Sequence, residues 1–239
     1  VLLAAVAYVV VPMFQITPAY PDWFSRRFSV LALAAATLWT IAEWLDWSVA
    51  STALGALVVG LAALFAAITL VVQRGSKRAR FDATQHYWRG AMLSALAAGV
   101  LWLAARTVAP VGDWPGWPLL CGVLVLFGAF MSVIVGMLYK IVPFLVWLHL
   151  QNAGQGRRMA PNMRKIVPEA AMQRQMRLHL ASVVLLAAAV FWPEALARPA
   201  GVLIVLAQGA LLLVLRHALA TCREHEAKLA ALPPAQEAR

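Results

Sequence analysis

The sequence predicts an all-α protein: a polytopic bundle of about seven transmembrane helices arranged as a parallel four-helix repeat. Three observations predict it. The composition is too apolar for water, seven apolar runs alternate with short basic loops, and one proline motif recurs at corresponding places in two of the runs.

Apolar residues make up 63% of the chain and charged residues 13%, with a mean hydropathy of +0.77. A soluble domain carries about 25% charged residues, so much of this surface needs lipid as its solvent. A span takes roughly 20 mostly apolar residues. The net charge of +10 does not mark a nucleic-acid binder, because the basic residues sit in loops between apolar runs rather than on one face of a soluble fold. The two cysteines, Cys121 and Cys222, form no Cys-x-x-Cys pair, so neither a disulfide framework nor a zinc ribbon is indicated. The chain carries no P-loop, dinucleotide fingerprint, zincin motif or nucleophile elbow.

The apolar runs cover 1–16, 28–48, 51–73, 90–109, 117–148, 178–193 and 199–217. The first opens at Val1 without a charged region before it, so it is not a signal peptide. It is also too short to span unaided. The expectation is a fragment of a longer protein, or a mature form whose start is missing. The second run ends with Glu43 and Asp46, three residues apart and so on one helix face; a solvated helix end and a cation site are both open readings. Prolines and glycines at 110–118 dictate a compact turn before the fifth run. Lys140 lies late in that run, near the headgroups, where a lysine snorkels. The sixth run is short if it stops at Pro193, so its helix is expected to start earlier. Residues 1–222 are read as the bundle, with repeat units of about 1–110 and 117–222. Residues 223–239 are read as a cytoplasmic tail.

Charge sets the orientation. Of the 20 lysines and arginines, all but Arg106, Lys140 and Arg198 fall in alternate loops or the tail. By the positive-inside rule those loops are cytoplasmic, as is the C-terminus, and the start of the first run is outside. Tryptophans near the run ends, including Trp44, Trp47, Trp114, Trp117 and Trp192 on one side and Trp23, Trp88 and Trp147 on the other, read as interfacial belts.

Tyr8-Val-Val-Val-Pro12-Met-Phe14 in the first run matches Tyr139-Lys-Ile-Val-Pro143-Phe144 in the fifth. The match continues in Val30-Leu-Ala-Leu-Ala-Ala-Ala-Thr-Leu-Trp39 and Val183-Val-Leu-Leu-Ala-Ala-Ala-Val-Phe-Trp192. A four-span period keeps both copies in the same orientation, unlike an inverted transporter repeat. In each motif the proline frees the carbonyl of the tyrosine one turn earlier and kinks the helix. Tyr8, Pro12, Tyr139 and Pro143 are therefore candidates for shaping a cofactor or quinone cavity, against the alternative of a structural kink.

Four histidines, His86, His149, His179 and His217, fall at run ends on the cytoplasmic side. Imidazoles from separate helices make plausible metal ligands if those ends converge. The alternative is that each meets water and headgroups. His225 lies in the tail. Gln208 and Thr37 read as helix–helix hydrogen-bond groups.

Pro-Met-Phe-Gln-Ile-Thr-Pro at 12–18 and the stretch from Phe127-Gly-Ala-Phe to Tyr139-Lys-Ile-Val-Pro-Phe144 resemble NnrS-like membrane proteins. These are in turn similar to the catalytic subunit of heme-copper oxidases, whose twelve helices form three parallel four-helix arcs. The resemblance implies a bacterial inner-membrane protein linked to heme, copper or nitrogen-oxide metabolism. It also implies ligating histidines near the outer ends of the first and fifth spans. The fifth has Leu119-Leu-Cys121-Gly there instead, so the scaffold carries over and the ligands do not. Heme or copper ligands are then expected mainly before residue 1. Two other readings remain. One is a non-catalytic membrane subunit that packs lipid and partner helices, with other subunits or missing N-terminal helices as neighbours. The other is a permease.

Overall fold

A computed structural model describes residues 1–77, 82–154 and 159–231. The described residues are helical with short connections and contain no strand. Each of the seven apolar runs lies on a helix. Four helices are long and apolar enough to cross a bilayer: Ser48–Arg74, Ala83–Thr107, Trp117–Gly154 and Pro193–Ala230. The chain is thus an all-helical membrane protein in its coarse architecture.

Helix α1 (Leu2–Gln15) contains Pro12 and ends at Ile16 in the left-handed region, with φ 52°. Its last carbonyls lack intrahelical partners. The end of α3 (Ser48–Arg74) supplies them: Ser76 Oγ donates to the Gln15 carbonyl (2.7 Å) and the Lys77 N–H to that of Ile16 (3.0 Å). Helix α2 (Asp22–Trp44) follows Pro21 and carries Asp22 in its first turn, which complements the positive end of the helix dipole. The α2–α3 turn holds Asp46 at φ 54°, a conformation that aspartate tolerates better than most residues.

Helix α4 (Ala83–Thr107) starts with a capping box. The Asp82 carboxylate accepts from the Gln85 N–H (3.0 Å), and the Gln85 side chain accepts from the Asp82 N–H (3.2 Å). After the short α5 (Ala109–Gly112) comes one long helical rod. It runs through α6 (Trp117–Val123), a π-helix (Leu124–Met131) and α7 (Ser132–Gly154). The one-turn α8 (Met163–Ile166) leads to α9 (Glu169–Ala189) and then α10 (Pro193–Ala230). At 1.5 Å per residue, a 38-residue helix such as α10 is about 57 Å long, well beyond a hydrocarbon core of about 30 Å.

The described core is two clusters. One joins α1, α2 and α3 to Trp88, Ala91 and Met92 of α4 and to Val133 and Met137 of α7. The other joins α4 and α7 to α8, α9 and α10. α4 and α7 therefore belong to both. The polarity is inverted relative to a soluble protein. Val49, Val184 and Val205 are more than two-thirds exposed, while Gln15, Gln73, Gln85, Gln175 and His179 are buried.

Some features depart from the sequence reading. Trp88 is fully buried in the core, not in an interfacial belt; it belongs to the cluster that joins α4 to α1, α2, α3 and α7. Lys140 does not simply snorkel: its ammonium lies 2.5 Å from the Asp82 carboxylate, with both side chains mostly covered. The helix of the sixth run starts earlier than the run, as expected: α9 begins nine residues before it, so His179, at the start of the run, sits about 15 Å into the helix. Helix α10 continues past residue 222 to Ala230. Arg78, Arg80, Arg157, Arg158, Arg239 and the tail beyond residue 231 lie outside the described residues.

Candidate functional site

A buried polar group lies among α4, α7, α9 and α10. Gln175 is its hub. The Tyr87 hydroxyl of α4 and the Tyr139 hydroxyl of α7 (2.9 Å) both donate to Gln175 Oε1, and Gln175 Nε2 donates to the Ala207 carbonyl of α10 (3.2 Å). One side chain thereby bonds to three other helices. Tyr87 and Tyr139 also pack at a centroid separation of 6.3 Å.

His179 lies one helical turn beyond Gln175, on the same face of α9. Its Nε2 is 2.9 Å from Ser132 Oγ, its ring centroid is 5.2 Å from that of Tyr87, and it is 1% exposed. Its Nδ1 is buried without a hydrogen-bond partner. Ser132 follows directly on the π-helix, and its hydroxyl also reaches back to the Phe127 carbonyl (3.3 Å). Insertions of π-helix widen a turn and re-aim the side chains after it, and they recur at functional sites.

Two glycines set these distances. A Cβ on Gly136 would lie 2.8 Å from Tyr87 Cβ, and one on Gly128 would lie 2.6 Å from Ser94 Oγ. Only glycine lets α4 and the long rod approach so closely. The close approach places Tyr87 against α7 within reach of Gln175.

The two kink motifs have different surroundings. Tyr139 is buried and bonded to Gln175. Tyr8 packs edge-on against Tyr20 and Phe24, at 5.2 and 6.0 Å. Both prolines lie inside helices, and the phenylalanines that follow them, Phe14 and Phe144, meet edge-on at 6.2 Å. The structure thus brings the two motifs together at their phenylalanines and not at their tyrosines.

The four histidines do not gather. His179 is buried, whereas His86, His149 and His217 are exposed. Among the described residues, one set of three or more metal-ligating side chains has its donor atoms within 4.8 Å of one another: His149, Cys222 and Glu226. His149 Nε2 and Glu226 Oε1 are 2.7 Å apart. Among the described residues no three of these histidines bring their nitrogens within 4.8 Å of one another. His179 Nδ1 is a buried imidazole nitrogen without a hydrogen-bond partner. Glu43 is also committed: it accepts from Ser51 and from Trp39 Nε1 (3.2 Å) and lies 3.7 Å from Arg106.

Sequence reasoning singled out Tyr139 and His179 but missed Tyr87, Gln175 and Ser132. One signal was available, namely that Gln175 and His179 are four apart ahead of an apolar run. No protein-family model matches the chain, and no curated protein or solved structure shows a significant similarity to it.

Proposed function

We propose that the chain works in membrane-associated redox metabolism of the oxidase-like or NnrS-like kind that it resembles, and that its buried polar centre handles protons. One observation carries this reading: His179 lies inside the helix bundle with Nε2 on Ser132 and Nδ1 unpartnered. An unsatisfied polar atom costs several kcal/mol in a medium without water, about 1–3 kcal/mol by the gentler protein scale, and structural roles select against it. An imidazole beside the Tyr87 ring and the Ser132 hydroxyl suits proton transfer. The same reading takes the seven apolar runs as seven crossings in two parallel repeats. It places the basic loops and the C-terminus in the cytoplasm of a bacterial inner membrane, as the distribution of lysine and arginine supports.

Two measurements test it. Proteoliposomes holding the full chain and an internal pH dye are expected to take up protons under an imposed potential faster than empty vesicles, and His179→Ala is expected to return the rate to that of empty vesicles. Equal rates for the wild-type chain and empty vesicles remove the proton-handling role. Protein purified from its own membrane with neither heme nor copper, by visible spectrum and metal analysis, removes the redox assignment.

A second reading, a non-catalytic packing subunit, is favoured by Gln175. Its bonds to Tyr87, Tyr139 and the Ala207 carbonyl join four helices, as polar glue does in membrane bundles. Under that reading Gln175→Leu loosens the bundle and no variant changes proton flux.

A further inference from the structure

We propose that His149, Cys222 and Glu226 form a binding site for a divalent first-row transition metal, with Zn²⁺ the favoured ion. The site is separate from the buried polar centre. His149 belongs to the last turns of α7, and Cys222 and Glu226 to the distal part of α10. The latter two are four apart and so share a helix face. All three donor atoms lie within 4.8 Å of one another.

The donor chemistry selects the ion. Imidazole nitrogen, thiolate sulfur and carboxylate oxygen are the three ligand types that Zn²⁺ takes, and a thiolate disfavours Mg²⁺ and Ca²⁺. In a tetrahedral site with Zn–N of about 2.0 Å and Zn–S of about 2.3 Å, neighbouring donors stand about 3.3–3.8 Å apart. The His149–Glu226 contact of 2.7 Å is a hydrogen bond. It therefore opens by about half an ångström as the metal replaces its proton, while the sulfur swings in. Binding deprotonates the Cys222 thiol, and that proton leaves to solvent. Three protein ligands leave the fourth position to water.

The helices carrying the ligands are already fixed in place. Leu150 and Ala218, beside His149 and one turn before Cys222, are both fully buried in the same core cluster. Rotamer changes alone then complete the site, since the backbones are held by packing. A metal here would clamp the far end of α10 onto α7.

The test is a Co²⁺ titration of the reduced full chain in detergent. A near-ultraviolet thiolate-to-cobalt band is expected, together with the visible bands of four-coordinate Co²⁺. Both saturate at one ion per chain and disappear on adding Zn²⁺. Cys222→Ser abolishes the thiolate band, whereas Cys121→Ser keeps it. His149→Ala and Glu226→Gln each weaken Co²⁺ binding by at least tenfold. No thiolate band in the wild-type chain, or the same band in Cys222→Ser, overturns the proposal. Far-ultraviolet circular dichroism separates ligand loss from unfolding. If Cys222→Ser does not fold, maleimide alkylation of the wild-type chain decides. Zn²⁺ is expected to slow modification of Cys222 at least tenfold and leave that of Cys121 unchanged; equal protection, or none, overturns the site. These readouts involve neither proton flux nor heme or copper content, so failure here and failure of the proposed function are distinguishable.

Discussion

At the scale of single residues, Gln175 is the side chain on which most others depend. Its carbonyl oxygen accepts from two buried phenols and its amide donates to a third helix. Tyr87→Phe removes one of two donors to a shared acceptor and strands nothing, so its cost is expected near 1 kcal/mol. Gln175→Leu is nearly isosteric but orphans both hydroxyls, while the Ala207 carbonyl keeps its partner within α10, and about 2–4 kcal/mol is expected. Thermal unfolding of the two variants in one detergent checks the order, and equal shifts would show that the hub is not a hub. Tyr139 was legible in the sequence because a proline four residues on marks it. Tyr87 was not. It sits between a capped helix start and an apolar run, and nothing local distinguishes it from an interfacial anchor. Its role exists because Gly136 lets it lie against α7, which is a fact about two distant segments.

At the scale of elements, close approach and end-capping decide the arrangement. Gly136→Ala places a methyl group 2.8 Å from Tyr87 Cβ, an atom fixed to the backbone that cannot swing aside. Overpacking of this kind is expected to cost about 1–3 kcal/mol. Gly60→Ala in α3 is the matched control: a Cβ there meets nothing within 4 Å, so better helix propensity is expected to stabilise by up to about 1 kcal/mol. Opposite signs in thermal unfolding confirm the assignment; a like sign refutes it. The start of α4 gives a second comparison. Asp82 both caps the helix and pairs with Lys140, whereas Lys140 contributes through the pair alone among the contacts described. Asp82→Ala is therefore expected to destabilise more than Lys140→Met, the excess being a helix cap of about 0.5–2 kcal/mol. A double-mutant cycle isolates the pair. The capping box Asp82-x-x-Gln85 is a local pattern, readable in principle from the sequence. The ion pair and the π-helix are not, since both follow from how the long rod lies across α4.

At the scale of the whole molecule, the helices themselves were the most legible feature, because apolar runs of membrane length leave the backbone few alternatives. Their faces were less so. Trp88 reads as part of an interfacial belt and is core, and an apolar helix in lipid has no hydrophobic stripe to tell one side from the other. The number of crossings turns on α1, which is short, and on α2 and α9, which carry charged residues in their first turns; all three fall outside the four helices long and apolar enough to span. Three exposed positions decide it: Ala19 before α2, Asp113 between α5 and α6, and Glu224 late in α10. If only the four most apolar helices cross, two crossings separate Ala19 from Asp113 and two separate Asp113 from Glu224, so all three share one side. If α2 and α9 cross as well, each interval gains a crossing, and Asp113 stands opposite the other two. In a background with Cys121 and Cys222 replaced by serine, the variants Ala19→Cys, Asp113→Cys and Glu224→Cys report this directly. An impermeant maleimide on intact cells is expected to label Asp113→Cys alone, with the other two labelled only after permeabilisation. Labelling of all three from one side would leave four crossings after α1, and labelling of the other two alone would invert the orientation.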